Sequence, residues 1–172
     1  MESKAIVYTS NTGYTAEYAN MLGGKIGLPA YSFKEAEVKL PKGEAVIYLG
    51  WIIAGQIKNY NRALQKFKIS AVCGVGMSTT GSKIQDTRKL NNIPNNIPLF
   101  TLQGGFELKK LKGIYKFMMK LMSKTLVKSI TENPDKTPED DVMLNLLLNG
   151  GSCVCKENLQ SVVDWYNNSV AK

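Results

Sequence analysis

The chain has 172 residues, of which 44% are hydrophobic and 21% are charged. This balance is typical of a globular domain and excludes a disordered or fibrous chain. Because no apolar run approaches the ~20 residues of a spanning helix, we do not expect an integral membrane protein. The formal net charge of +8 favours anionic partners, namely acidic lipid, nucleic acid or an acidic protein surface.

Histidine is absent, and the three cysteines, Cys73, Cys153 and Cys155, form no C-x-x-C pair. The chain therefore lacks the commonest general base and zinc ligand, so we expect reduced thiols, no metal site and no dedicated catalytic side chain. A bound cofactor is expected to supply any redox chemistry. The first residues lack the basic start and the long apolar stretch of a signal peptide, which favours a cytoplasmic location.

Five short apolar segments alternate with segments of helical character. Strands are predicted at residues 4–9, 30–33, 44–50, 69–75 and 97–102. Helices are predicted at residues 16–26, 59–68 and 83–90, from the glycines at 104 and 105 to about 130, and at 157–169, with a loop at 131–141. This alternation is typical of an α/β fold with a parallel sheet and helices on both faces, and the length predicts one domain over residues 1–172. Ligands of such folds bind at the carboxyl ends of the strands, so the loops that follow Thr9, Gly50 and Val75 are candidate sites.

The first of these loops, residues 10–15 (Ser-Asn-Thr-Gly-Tyr-Thr), joins a predicted strand directly to a helix. A phosphate can be bound at such a helix start by backbone N–H groups and hydroxyls without any cation, and Gly13 allows a close backbone approach. The loop matches neither G-x-x-x-x-G-K-[ST] nor G-x-G-x-x-G, which disfavours a P-loop nucleotide site and a nicotinamide site. On the local pattern alone, a phosphate site and a hydroxyl-rich helix cap without a ligand are equally good interpretations.

This loop resembles the T/S-x-T-G-x-T phosphate loop of the flavodoxin family, and strand order and motif placement extend the resemblance over essentially the whole chain. The resemblance implies a three-layer α/β sandwich around a five-stranded parallel sheet of order 2-1-3-4-5, with flavin mononucleotide (FMN) as the cofactor. It implies hydroxyl contacts to the FMN phosphate from Ser10, Thr12 and Thr15, and backbone contacts from Asn11, Gly13, Tyr14 and Thr15.

The loops after the third and fourth predicted strands lie where flavodoxins contact the flavin ring. In the first of them, residues 50–55, a ring-contacting role is implied for Gly50, Trp51, Ile52 and Ile53. Trp51 suits stacking on a flavin face, and the alternative is a core tryptophan at a strand end. In the second, a role at the pyrimidine edge is implied for Gly76, Met77 and Ser78. This second loop holds no aromatic residue, so one flavin face is expected to be open to an electron donor or to be covered by Phe106.

Five lysines recur at every fourth position, namely Lys112, Lys116, Lys120, Lys124 and Lys128. At ~3.6 residues per turn this spacing drifts by only ~40° per step, so the lysines form one slowly turning stripe, with most of the apolar residues on the other face. Such a basic amphipathic helix suits peripheral contact with an anionic membrane or an acidic partner. The alternative is a core-facing helix with a solvated lysine face.

Residues 105–122 resemble the insert that follows the fifth strand in the flavodoxin-like, quinone-dependent protoporphyrinogen oxidases, and the insert of this chain is predicted at about 105–137. We therefore expect an FMN-binding redox protein that transfers electrons through its flavin to a redox partner protein or a quinone. The alternatives are an oxidase that passes electrons from a porphyrinogen to membrane quinone and, in another class, a flavin-free interaction domain that binds acidic surfaces. A specific nucleic-acid function is not expected. The predicted location is cytoplasmic or peripheral at the inner face of the membrane.

Overall fold

The structure is a computed structural model that describes residues 3–111 and 113–170. The strands are β1 (Ala5–Thr9), β2 (Ala30–Ser32), β3 (Ala45–Ile53), β4 (Gln56–Ile57), β5 (Lys68–Gly76), β6 (Leu99–Gln103), β7 (Gly105–Phe106) and β8 (Gly151–Ser152). The helices are α1 (Tyr14–Ile26), α2 (Phe33–Lys39), α3 (Tyr60–Lys66), α4 (Ile84–Leu90), α5 (Gly113–Glu132), α6 (Pro138–Asn149) and α7 (Gln160–Val170), and a 3-10 turn at Glu157–Leu159 precedes α7. Within the described ranges, no helix has both the length and the apolar character needed to cross a membrane.

The main sheet is mostly parallel, with its parallel strands in the order β2-β1-β3-β5-β6 and the short strand β4 paired antiparallel with β3. The prediction of an α/β fold around a parallel sheet is confirmed. The predicted count of five strands was wrong, because the third strand does not end at Gly50. It runs on to Ile53, turns through Ala54 and Gly55 at positive φ angles of 49° and 76°, and returns as β4.

Helices cover both faces of this sheet, and each face has its own core. On one face Val46, Tyr48 and Val72 pack against α2 and α3. On the other face Ile47 and Leu49 pack against α1 and α7. Neighbouring residues of β3 alternate between the two cores because successive side chains of a strand point to opposite faces. This explains why the strand segments read as nearly continuous apolar runs in the sequence.

After β7 the chain forms a helical hairpin, α5 and α6, whose side chains make a third, smaller core with Phe106 and Leu111. The two ends of the hairpin segment lie next to each other. Strands β7 and β8 pair antiparallel, and the backbone N–H of Cys153 donates to the carbonyl of Gly104 at 2.7 Å. The predicted loop at 131–141 was partly wrong, since α6 begins at Pro138. Thr137 caps this helix through a reciprocal capping box with Asp140.

Candidate functional site

A cleft of about 490 Å³ of open space lies at the carboxyl edge of the main sheet, with α5 above it. We call it the carboxyl-edge cleft. It brings together residues from all three predicted loops, namely Asn11, Thr12, Tyr14, Thr15, Trp51, Ile52, Gly76 and Met77. The remaining wall comes from β5, from the segment that follows β6 and from α5, namely Val75, Gly105, Phe106, Glu107, Leu111 and Met119. Segments far apart in sequence thus meet here because parallel strands all end at the same edge.

Five of the residues predicted for the site lie elsewhere. Ser10, Gly13 and Gly50 do not line the carboxyl-edge cleft, although Ser10 and Gly13 belong to the loop that does. Ile53 and Ser78 line a second, neighbouring cleft.

The loop at 10–15 presents the start of α1 to the cleft. Gly13 stands at the helix start with a φ of 103°, a left-handed conformation that favours glycine. Among the described residues, no side chain caps this helix start. The Ser10 hydroxyl instead accepts a hydrogen bond from the Gly13 N–H at 3.2 Å. The first N–H groups of α1 and the positive end of its dipole are therefore directed to the cleft without a competing side-chain acceptor.

The hydroxyl side chains of this loop differ in exposure. Thr12 is half-buried at the cleft wall, whereas Thr15 is 1% exposed and belongs to the buried base of the loop. Thr12 is thus the more accessible hydroxyl donor for a ligand.

Tyr14, the first residue of α1, connects the loop to strand β8. Its hydroxyl donates to the carbonyl of Gly151 in β8 at 3.0 Å, and the ammonium of Lys110 lies 5.5 Å from the centre of its ring. Burial, followed by the nearby Glu107 carboxylate, raises the pKa of Tyr14, so the hydroxyl remains a hydrogen-bond donor throughout the physiological range. Glu107 is the acidic side chain among the described residues that line the cleft. An anion in the cleft is therefore expected to avoid Glu107 and to bind at the N–H groups of the start of α1.

Trp51 lies within strand β3 and is half-buried, so it belongs neither to a loop nor to the closed core. The ring of Tyr115, from α5, meets it edge to face, with centroids 5.2 Å apart and planes at 87°. The Lys58 ammonium lies 4.9 Å from the centre of the Tyr115 ring and 5.9 Å from that of Trp51, which are distances typical of cation–π contacts. Part of the indole is therefore covered by the helical hairpin. Tyr115 and Lys58 were not among the predicted site residues, because the sequence alone does not show that α5 lies across β3.

Close packing within the sheet explains why position 50 is a glycine. It lies buried in the middle of β3 and pairs with Thr9 and Gly74. A Cβ atom at this position would lie 2.5 Å from Cγ2 of Ile57 and 2.9 Å from the carbonyl oxygen of Lys58. The return of the chain as β4 therefore requires glycine at position 50, which lies within strand β3 and not in the predicted loop at 50–55.

A second and wider groove of about 1550 Å³, open to solvent, adjoins the first. We call it the methionine groove. The two share Ile52, Gly76, Met77 and Met119, so they are continuous. Further apolar lining comes from Leu90, Met122, Leu126 and Met143, and polar groups at its α4 side are Ser78, Ser82, Lys83, Asp86 and Lys89. Methionine side chains are flexible and polarisable, and they adapt to irregular apolar ligands.

Comparison of the chain with protein-family models, with curated proteins and with solved structures finds no significant match in any of the three.

Proposed function

We propose that the chain is an FMN-binding, flavodoxin-like redox protein that holds its cofactor in the carboxyl-edge cleft. The observation that carries the proposal is the convergence on one cleft of the uncapped start of α1, the hydroxyl of Thr12 and the indole of Trp51. The phosphate of a flavin nucleotide needs an anion site, and its ring needs an apolar site beside it. The start of α1 with Thr12 would supply the first, and Trp51 would supply the second. When bound, FMN exchanges one or two electrons through its ring, and the chain contributes binding, orientation and shielding from water.

The phosphate end of the cleft suits the ligand without rearrangement. A Cβ atom at Gly13 would meet nothing within 4 Å, so the turn of the loop faces open space. The N–H groups of the first turn of α1 and the Thr12 hydroxyl would donate to the phosphate oxygens, and the helix dipole would favour their negative charge. The Ser10 hydroxyl would hold the loop in shape through its bond to the Gly13 N–H.

The ring end requires an adjustment. Trp51, Met77, Phe106 and Met119 surround a narrow space, and Tyr115 covers part of the indole. A flavin that stacks on Trp51 would displace Tyr115 or take the part of the indole that Tyr115 leaves free. Because Tyr115 belongs to the helical hairpin, binding at this end would move the hairpin rather than the sheet.

The phosphate contact can be tested with Thr12→Val, which removes the hydroxyl and keeps the branched shape of the side chain. A hydrogen bond to a charged group contributes about 1.5–3 kcal/mol, so the dissociation constant for FMN should rise about 10- to 100-fold. The measurement is quenching of FMN fluorescence on titration with the protein, with riboflavin as a second ligand that lacks the phosphate. The variant should lose most of the preference for FMN over riboflavin.

Thr125→Val is the matched control, because the Thr125 hydroxyl bonds to the Leu121 carbonyl on the exposed side of α5 and should not affect FMN. The proposal is wrong if the unmodified protein binds riboflavin as tightly as FMN, or if Thr12→Val binds FMN unchanged.

A second candidate function is an oxidase that passes electrons from an organic substrate through FMN to a quinone. The methionine groove favours it, because an electron shuttle has no need for a wide apolar groove continuous with its flavin cleft. The resemblance of residues 105–122 to the inserts of quinone-dependent protoporphyrinogen oxidases points the same way.

The two functions differ in steady-state turnover. An oxidase of this kind should oxidise protoporphyrinogen with a quinone as acceptor, and Met122→Glu, which places a charge in the groove, should lower that rate at least tenfold while FMN stays bound. A shuttle should show no such turnover, and its electron transfer to a protein acceptor should be unchanged in Met122→Glu. Val38→Glu, on the exposed side of α2, is the control for an added charge.

A further inference from the structure

The outward side of α5 carries large apolar side chains in solvent. Ile114, Phe117, Met118 and Leu121 are 69%, 71%, 40% and 61% exposed. Their spacing of three, four and seven residues places them on one stripe of the helix. We call this stripe the outer strip.

The inner side of the same helix is also apolar. Tyr115, Met119, Met122 and Leu126 face the two clefts or pack in the third core. The residues that pack α5 over the site belong to this inner set and not to the outer strip, so packing within the chain does not explain the outer strip. The expectation of a single apolar face opposite the lysines was wrong for this reason: the apolar residues divide between two sides of the helix. Contiguous exposed apolar residues of this kind mark interaction surfaces.

The lysines border the outer strip. Lys120 follows Phe117 by three residues and Lys124 follows Leu121 by three, so these side chains are neighbours on the helix surface. Lys116, Lys120 and Lys124 are exposed, and none of the three forms an ion pair with a described residue, whereas Lys128 pairs with Glu132 at 3.9 Å. The sequence holds no acidic residue between positions 113 and 131. Lys112, the first lysine of the predicted stripe, lies outside the described residues.

We propose that the outer strip docks the protein on an anionic membrane surface. The four apolar side chains would enter the boundary between lipid headgroups and acyl chains, and the lysines beside them would reach the lipid phosphates with their long, flexible stems. The positive charge of α5 favours a lipid surface as the occupant. Lysines without an ion-pair partner among the described residues, next to a convex apolar stripe, are complementary to a continuous anionic surface. The proposal depends on the outer strip alone and holds whether or not the cleft binds FMN.

Docking in this orientation has a consequence for the clefts. The same helix has the lipid on its outer side and both clefts on its inner side, so the lipid boundary lies about one helix diameter, ~10 Å, from the cleft walls. An apolar compound dissolved in the membrane would reach the methionine groove over that distance.

The test is co-sedimentation of the full chain with vesicles of phosphatidylglycerol and phosphatidylcholine in equal parts, compared with phosphatidylcholine alone, at low and high salt. The protein should sediment with the anionic vesicles at low salt only. A variant with Lys116, Lys120 and Lys124 replaced by Gln should bind roughly 100-fold more weakly, since each basic residue near such a surface contributes about fivefold. The double variant Phe117→Ser with Leu121→Ser should lose binding to a similar degree, although its lysines remain.

Two matched controls keep the test specific. Replacing Lys42, Lys66 and Lys68 with Gln removes as many charges at the opposite edge of the sheet, and Val38→Ser removes an apolar side chain that is 87% exposed on α2. Both controls should sediment like the unmodified protein. The proposal is overturned if the unmodified protein does not sediment with anionic vesicles, or if the control triple variant loses as much binding as the α5 triple variant. It is also overturned if sedimentation velocity shows a dimer that Phe117→Ser with Leu121→Ser converts to monomer, because the outer strip is then an interface between copies of this chain.

Discussion

The two walls of the carboxyl-edge cleft are built very differently. The sheet-side wall is a continuation of strand β3, in which Ile47, Tyr48 and Leu49 are 0% exposed and lie between two layers of helices. On the other side, α5 has only two buried residues, Ser123 and Ile130, in its 20 residues, whereas the 13-residue helix α1 has six. Few buried contacts mean a low free energy of local opening. The sheet therefore fixes the position of the site, and the helical hairpin is the wall that can move.

The largest expected effect is on the free energy of unfolding, and it is seen when a buried leucine is truncated to alanine in the sheet and, for comparison, in the helical hairpin. Leu49→Ala, in the sheet, should lower the free energy of unfolding by about 2–5 kcal/mol, because it leaves a cavity in a fully packed core. Leu146→Ala, in the hairpin, removes a side chain that is 4% exposed but packs in the smaller third core. It should leave the urea midpoint of the sheet almost unchanged and should loosen α5 and α6 locally.

Thiol labelling followed by mass spectrometry reads out both regions in one experiment. Cys73 lies fully buried in the sheet, and burial raises the pKa of its thiol to about 12, so it reacts only when the sheet opens. Cys153 is partly exposed next to β8 and packs on the third core. Leu49→Ala should speed the labelling of Cys73, and Leu146→Ala should speed that of Cys153 alone. Equal acceleration of both thiols by Leu146→Ala would mean that the hairpin opens only together with the sheet.

A smaller effect is expected at the start of α6. The backbone N–H and the hydroxyl of Thr137 both donate to the Asp140 carboxylate at 2.9 Å, and these two hydrogen bonds hold the pKa of Asp140 below its ordinary value. Because this pKa is lowered in the folded state, the stabilisation is present above the ordinary carboxyl pKa of about 3.9 and is lost as the pH falls through the lowered value. Acidification should therefore fray the first turn of α6 while the sheet is unaffected.

Amide hydrogen exchange of residues 139–141, expressed relative to the intrinsic exchange rate at each pH, checks this expectation across the acid range. Asp140→Asn should lower the protection of these amides at neutral pH and should remove the pH dependence of that protection. Glu139→Gln, next to it and outside the capping box, is the control. If exchange at β3 changes in parallel with α6, the two regions are not independent.

Much of the sheet could be predicted because strands buried on both faces leave continuous apolar runs. The end of β3 could not, because the glycine at position 50 suggested a loop. It is required instead by the approach of Ile57, which lies seven residues further along the chain. The start of α6 was hidden by its composition. Proline and acidic residues suggest a loop, but Pro138 occupies the first turn of the helix, where proline and acidic side chains are both favourable.

The convergence of the three loops at one edge followed from strand order and could be predicted, whereas the cover over the site could not. The lysine spacing indicated a long helix, and the helix is present but begins at Gly113 rather than at the glycines at 104 and 105, because Gly105 and Phe106 form β7. Which of its apolar residues face inward depends on where α5 crosses the sheet, and contacts such as Tyr115 on Trp51 have no local signal in the sequence. Binding of FMN at this edge stays a prediction.

Tyr14 has a consequence for how the chain can be altered. Its hydroxyl bonds to Gly151, and a Cβ atom at Gly105 would lie 2.8 Å from its ring, so one aromatic side chain supports both the exit and the re-entry of the 44-residue excursion between Phe106 and Gly151. Strands paired in this way lie ~5 Å apart and can be joined by a tight two-residue turn. We therefore expect that the excursion can be excised and that the main sheet still folds, which would separate the contribution of the sheet to the site from that of the helical hairpin.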